Sequence, residues 1–190
     1  MKAYKRFLNY IKINTTADPN SGLHPSSMIQ KDLGKLLVKE LKELGVSDAY
    51  MDQYGYVYGT VDANTNRKID TIAFIAHMDT SPDASGLKSL KGQSLIVTDG
   101  TTLLGADDKA GIAEIMTMIE YLNNHPDIKH GKIKIVFTPD EEIGEGPMFF
   151  NYSEVDAKFA YTVDGGKEGI INYENFNAAS CIVTISGNNI

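Results

Sequence analysis

The sequence predicts an α/β fold built on a mixed, largely parallel sheet with helices on both faces. Three observations lead there. Strand-like and helix-like segments alternate along the chain. The run from Ile69 to Ala76 is apolar without strict alternation, as in a strand covered on both sides within a parallel sheet. Acidic residues gather where the strand-like runs stop, which is where open α/β sheets bind ligands.

The first clear element is a helix in "HPSSMIQKDLGKLLVKELKELGV". Leu33, Leu36, Leu37, Leu41 and Leu44 recur at the spacing of one helical face, and Gly45 ends it. "AYMDQYGYVYGTVDA" follows, rich in Tyr and Val and broken by Gly, so it reads as strands joined by a turn. The polar "NTNRK" separates these from the strand at 69–76. A loop from Thr80 to Gly92 leads to "QSLIVTD". Then comes a helix with Ile112, Ile115, Met116, Ile119 and Leu122 on one face, starting just after Asp107 and Asp108. "GKIKIVFTPDEE" and "AKFAYTVDGG" are strands that run into acidic residues. From Glu168 onward the pattern becomes strands without an intervening helix.

A chain of 190 residues can bury one substantial core, and 42% hydrophobic with 23% charged residues is the balance of a globular protein. No apolar run reaches bilayer length, so no membrane partner is expected. The N-terminus mixes charges into its apolar positions and does not read as a signal peptide, so cytoplasmic residence is expected. The formal net charge of -7 argues against nucleic acid, although acidic residues gathered in a cleft can hold cations. Cys181, the single cysteine, lies in the strand-like "ASCIVTIS" and reads as a buried structural thiol.

Four acidic sites follow strands or precede a helix: Asp79 with His77, Asp107 with Asp108, Asp140 with Glu141 and Glu142, and Asp164. Singly, each has an ordinary explanation in turn chemistry, helix polarity or a solvated loop. Together they would put like charges into one cleft, and cations are the economical way to offset that repulsion. His77 tilts the choice toward zinc, which accepts imidazole nitrogen and carboxylate oxygen at about 2.0–2.2 Å, with Co2+ or Mn2+ as substitutes. A strand repeats every two residues, so His77 and Asp79 project to the same side, an imidazole backed by a carboxylate. Glu141 and Glu142 are neighbours that point differently, so one can bind metal while the other takes protons. His24, His125 and His130 read as surface polar or capping residues.

"AHMDT", "LLGADDKAG", "TPDEEIGEG" and "YTVDGG", in this order, resemble the four metal-site motifs of the di-zinc aminopeptidases and deacylases related to carboxypeptidase G2 and aminoacylase. "INTTADP", "HMDTSPD" and "TDGTTLLGADDKAGIAEI" are similar to the tripeptide-cleaving branch of that family. The resemblance implies that His77 and Asp164 bind one zinc, Glu142 the other, and Asp107 bridges both, with a cis peptide bond after it. Asp79 would fix the tautomer of His77, and Glu141 would be the general base. Two metals about 3.5–4 Å apart can share a water and polarise a scissile carbonyl. The implied activity is removal of the N-terminal residue from short peptides, tripeptides especially. A dipeptidase or N-acyl amino acid deacylase of the same chemistry, or a non-catalytic metal-binding module, are the alternatives.

The chain departs from this family in two ways. "SPDASGLKSLKGQ" is shorter than its counterpart, and the family goes on through a lid domain and later supplies a last histidine to the second zinc. The resemblance therefore implies a catalytic portion over residues 1–176 and the first lid strand over 177–190. Homodimerisation through the lid is the implied assembly.

Overall fold

The computed structural model describes residues 1–83, 89–91, 95–167, 169–174, 179 and 181–187, with the backbone alone at 89–91. In chain order the elements are α1 (Ala3–Tyr10), α2 (Gln30–Glu43), β1 (Tyr50–Met51), β2 (Val57–Val61), β3 (Ile72–His77), β4 (Ser89–Lys91), β5 (Ile96–Thr98), α3 (Ala106–Asn124), β6 (Ile133–Thr138), α4 (Tyr152–Val155) and β7 (Phe159–Thr162).

Five strands form one mixed sheet in the order β1-β2-β6-β3-β7. β1 with β2 and β2 with β6 pair antiparallel, whereas β6 with β3 and β3 with β7 pair parallel. β3 is thus flanked on both sides by parallel neighbours, with His77 opposite Thr138 and Ile75 opposite Thr162. Parallel strands end at the same edge, so the segments after β3, β6 and β7 emerge side by side. β4 and β5 form a separate antiparallel pair.

The two-residue period of the strands sorts the core into two layers. Val57, Val61, Ala76, Ile133, Ile135 and Phe137 meet Phe7, Leu33, Leu37, Leu41, Ile112, Met116 and Ile119 from α1, α2 and α3 on one face. Tyr56, Tyr58, Ala73 and Val136 face the other way, against Val155 of α4 and the partly buried Phe150. Helices on both faces of a mixed sheet are what the sequence predicts, and α2 stops as expected at Gly45, which takes φ +89.

Helix α1 has no counterpart in the sequence reading. Its inner face carries Phe7 and Tyr10, but Arg6 is buried beside them, bonded to Glu40 at 2.7 Å and Glu120 at 3.0 Å. A charge on the packed face interrupts the apolar stripe that would announce an amphipathic helix.

The end of the chain corrects two expectations. None of the described residues in 169–174, 179 and 181–187 belongs to a strand, and Cys181 is exposed rather than buried. The β-branched run there lacks a strand to pair with among the described residues, and Ile182 is 94% exposed. The short loop after Pro82 falls largely on 84–88 and 92–94, outside the described residues.

Gly111 in α3 sets how closely that helix approaches the chain leaving β7. A Cβ there would sit 1.9 Å from the Val163 carbonyl oxygen and 2.4 Å from an Asp108 carboxylate oxygen. Both contacts are impossible without movement of backbone or of a buried carboxylate. Gly111→Ala is therefore expected to destabilise the fold by about 1–3 kcal/mol, measurable by chemical denaturation. Wild-type stability in that variant would show that the contact is not tight.

Candidate metal centre

The site is assembled at the edge where β3, β6 and β7 end. β3 delivers His77 as its last residue and Asp79 two positions on. The turn after β6 brings Asp140, Glu141 and Glu142, and the segment after β7 brings Asp164. Asp107 and Asp108 come from the start of α3, where both have non-helical backbone angles and are joined by a cis peptide bond. The regular helix thus begins after the acidic pair, as the sequence predicts.

His77 is the hub. Its Nε2 lies 2.9 Å from Asp107 Oδ1, 3.7 Å from Glu141 Oε2 and 3.8 Å from Asp164 Oδ2. Its Nδ1 faces Asp79, 3.3 Å from Oδ1 and 3.1 Å from the main-chain carbonyl oxygen. Donor atoms of His77, Asp107 and Glu142 all lie within 4.8 Å of one another. All six residues singled out by the sequence, His77, Asp79, Asp107, Glu141, Glu142 and Asp164, therefore converge.

Asp79 does more than back the imidazole. It is fully buried, and its two oxygens accept the backbone N–H groups of Glu141 at 3.0 Å and Glu142 at 3.1 Å. One carboxylate thus sets both the ring of His77 and the turn that presents the two glutamates. The far side of that turn is held by Asp140, which adopts a left-handed φ of 57 that aspartate tolerates better than most residues. Ser26 N–H and Gln30 Nε2 donate to its carboxylate, and the Asp140 N–H donates to Gln30 Oε1. Asp140 is a structural clasp between the start of α2 and the turn.

Asp108 is the neighbour that the sequence left without a role. It is 2% exposed, and its oxygens accept the N–H groups of His77 and Gly111, both at 3.2 Å. It groups with His77 and Asp164 by distance, but each oxygen already holds an amide. Its place is to tie the end of β3 to α3, while Asp107, with its side chain 65% exposed, offers free lone pairs. The buried amide-bonded state of Asp108 has no local signature in "ADDK".

His24 overturns its reading as a surface residue. Its side chain is 6% exposed, stacked on Tyr56 with ring centroids 5.7 Å apart and tilted against Phe149 at 4.9 Å. Its partners come from residues more than thirty positions away, which a single-sequence reading cannot pair. His125, by contrast, closes α3, with Nδ1 2.8 Å from the Tyr121 carbonyl, and His130 lies near the chain surface with Nδ1 2.9 Å from the Gly131 carbonyl.

The electrostatics of the cluster are one-sided. Burial disfavours a charged imidazole, yet hydrogen bonding and charge from Asp79, with Asp108 and Asp107, outweigh it and push His77 up to about 10. Burial, aided by Asp164, pushes Asp108 up to about 8 against the opposing pull of His77. Burial likewise raises Glu141 and Glu142, with neighbouring carboxylates adding to it. One imidazole cannot balance six carboxylates, which is the test that a divalent-cation centre passes. The donor set of one nitrogen and several oxygens suits a borderline metal.

Residues 73–174 match the family described as peptidase family M20/M25/M40. A peptidase T of Caldanaerobacter subterraneus is 51% identical over 222 aligned positions, covering all of this chain and 54% of that protein. A peptidase T of Clostridium perfringens is 50% identical over 220 positions, again covering all of this chain and 54% of its own length. The chain thus spans about half the length of the curated relatives it matches. Among solved structures, an aminopeptidase of Bacillus cereus superposes with a TM-score of 0.73 at 29% identity, over 87% of this chain and 43% of that one. A tripeptidase of Staphylococcus aureus gives 0.71 at 28% identity, over 87% and 43%.

Proposed function

Because this chain belongs to peptidase family M20/M25/M40, we propose that it carries the metal centre of an aminopeptidase that removes the first residue from short peptides, tripeptides above all. The observation that carries this reading is the single imidazole ringed by carboxylates where three parallel strands end. The tripeptide preference draws on the relatives named peptidase T and on the tripeptidase neighbour. We assign the catalytic portion to residues 1–176 and the beginning of a lid to 177–190.

In this reading His77 and Asp164 would hold one zinc, Glu142 would hold the other, and Asp107 would be shared by both. When bound, the ions supply Lewis acidity toward the scissile carbonyl and toward water. Asp79 keeps the proton of His77 on Nδ1, so that Nε2 offers its lone pair to metal. Glu141, with its side chain 54% exposed, has room to meet substrate. Burial and the surrounding carboxylates raise its proton affinity, which suits a group that takes a proton from water and then gives one to the departing amine.

Chelation of the intact protein is expected to abolish tripeptide hydrolysis, and added Zn2+ to restore it. A panel of di-, tri- and tetrapeptides with N-acyl amino acids is expected to show the tripeptides turned over fastest. Preference for N-acyl amino acids would replace the substrate assignment with deacylation, and chelator-insensitive hydrolysis would remove the metal from the reaction.

A further inference from the structure

We propose that His24, Asp140 and Glu145 form an additional divalent-cation site, separate from the centre around His77, that pins the loop before α2 to the base of the turn bearing Glu141 and Glu142. Donor atoms of the three residues lie within 4.8 Å of one another. The His24 Nδ1 is 3.2 Å from Asp140 Oδ2 and 3.8 Å from Glu145 Oε2. Donors about 2 Å from a tetrahedral zinc lie about 3.3 Å from each other, so these spacings suit a shared ion.

Proton bookkeeping leaves a gap that a cation fills. Tyr56 Oη donates its only hydrogen to the Gly146 carbonyl at 2.9 Å and accepts the Phe149 N–H at 3.2 Å. Its contact with His24 Nε2 at 3.1 Å therefore needs the proton on Nε2. Nδ1 is then the nitrogen left to face Asp140, and it is buried and has no hydrogen-bond partner. Asp140 is in a matching state. Its Oδ1 accepts from Ser26 Oγ at 2.5 Å and Gln30 Nε2 at 2.6 Å, while Oδ2 accepts only Ser26 N–H at 2.7 Å. One lone pair on Oδ2 remains, on the oxygen nearest His24. Lone pairs facing each other across 3.2 Å repel unless a proton or a metal cation lies between them, and Nδ1 makes no hydrogen bond to Asp140 that would mark a proton there.

The surroundings fit a bound ion. A ligating histidine usually gives its other ring N–H to a neighbour, here Tyr56, and the rings of Tyr56 and Phe149 fix its plane. Glu145 is 37% exposed at its side chain, which gives an ion a way in and leaves room for water as a further donor. The Glu145 N–H also closes the turn onto the Asp140 carbonyl at 2.9 Å.

Cobalt(II) tests this by its visible absorption. The double variant His77→Ala with Asp107→Ala disables the main centre and is expected to retain about one equivalent of Co2+ with the bands of a nitrogen and oxygen site. Adding Glu145→Gln, a change at a half-exposed side chain that leaves the aromatic packing intact, is expected to abolish those bands. His24→Gln should do the same. An absence of cobalt bands in the double variant, or bands unchanged by Glu145→Gln, would overturn the proposal. Neither result bears on the centre around His77, which that variant has already removed.

Discussion

Glu141→Gln will lower peptide turnover in the intact protein by about 10²–10⁴-fold, the range for loss of a general acid–base group, while metal content stays at the wild-type level. The substitution keeps the shape of the side chain and removes only its ability to carry the proton. The turn does not depend on that carboxyl, because it is fixed through main-chain N–H groups of residues 141 and 142 bonded to Asp79. Steady-state kinetics with tripeptides, together with elemental analysis, checks both halves. Activity within tenfold of wild type would take Glu141 out of proton transfer, and loss of metal would move it into the ligand set.

Asp107→Ala will show the opposite pattern, emptying the centre of metal while the metal-free protein keeps its stability. Asp107 has a side chain 65% exposed, and its Oδ1 meets His77 Nε2 at 2.9 Å. Taking one carboxylate out of a metal-free cluster relieves repulsion from its acidic neighbours but gives up the contact with His77, so the melting temperature without metal should change little. With metal, filling the His77 centre adds about 2.7 kcal/mol at a hundredfold excess over Kd, and the variant should lose that part of the gain. Thermal melts with and without Zn2+, beside bound-metal analysis, measure the contrast. Unchanged binding in both Asp107→Ala and His77→Ala would mean that the cluster is not the metal centre.

The strands, the two long helices and the acidic positions that gather around His77 were legible because they carry local signals. β3 announces itself by a run of apolar residues, α2 and α3 by leucine or isoleucine on one face, and the site by acidic residues where strands stop. What escaped was set by contacts distant in sequence. Arg6 hides α1 because its charge is neutralised by Glu40 and Glu120, which lie on other helices. Asp108 looks like a further acidic candidate, yet each of its oxygens holds a main-chain amide, and Asp140 turns from the His77 cluster toward Ser26, Gln30 and His24. His24 reads as a polar loop residue until Asp140, Tyr56 and Phe149 enclose it. The strand-like composition around Cys181 gave a false signal, since β-propensity needs a neighbouring strand before it becomes structure.

The parallel pairing of β7 with β3 joins residues that leave the ribosome far apart in time. At ordinary elongation rates, Asp164 emerges on the order of ten seconds after His77. During that interval a nascent chain exposes a histidine and several carboxylates with no completed pocket to hold an ion. The residues that gather around His77 are therefore not all available to one ion until the chain has emerged through Asp164.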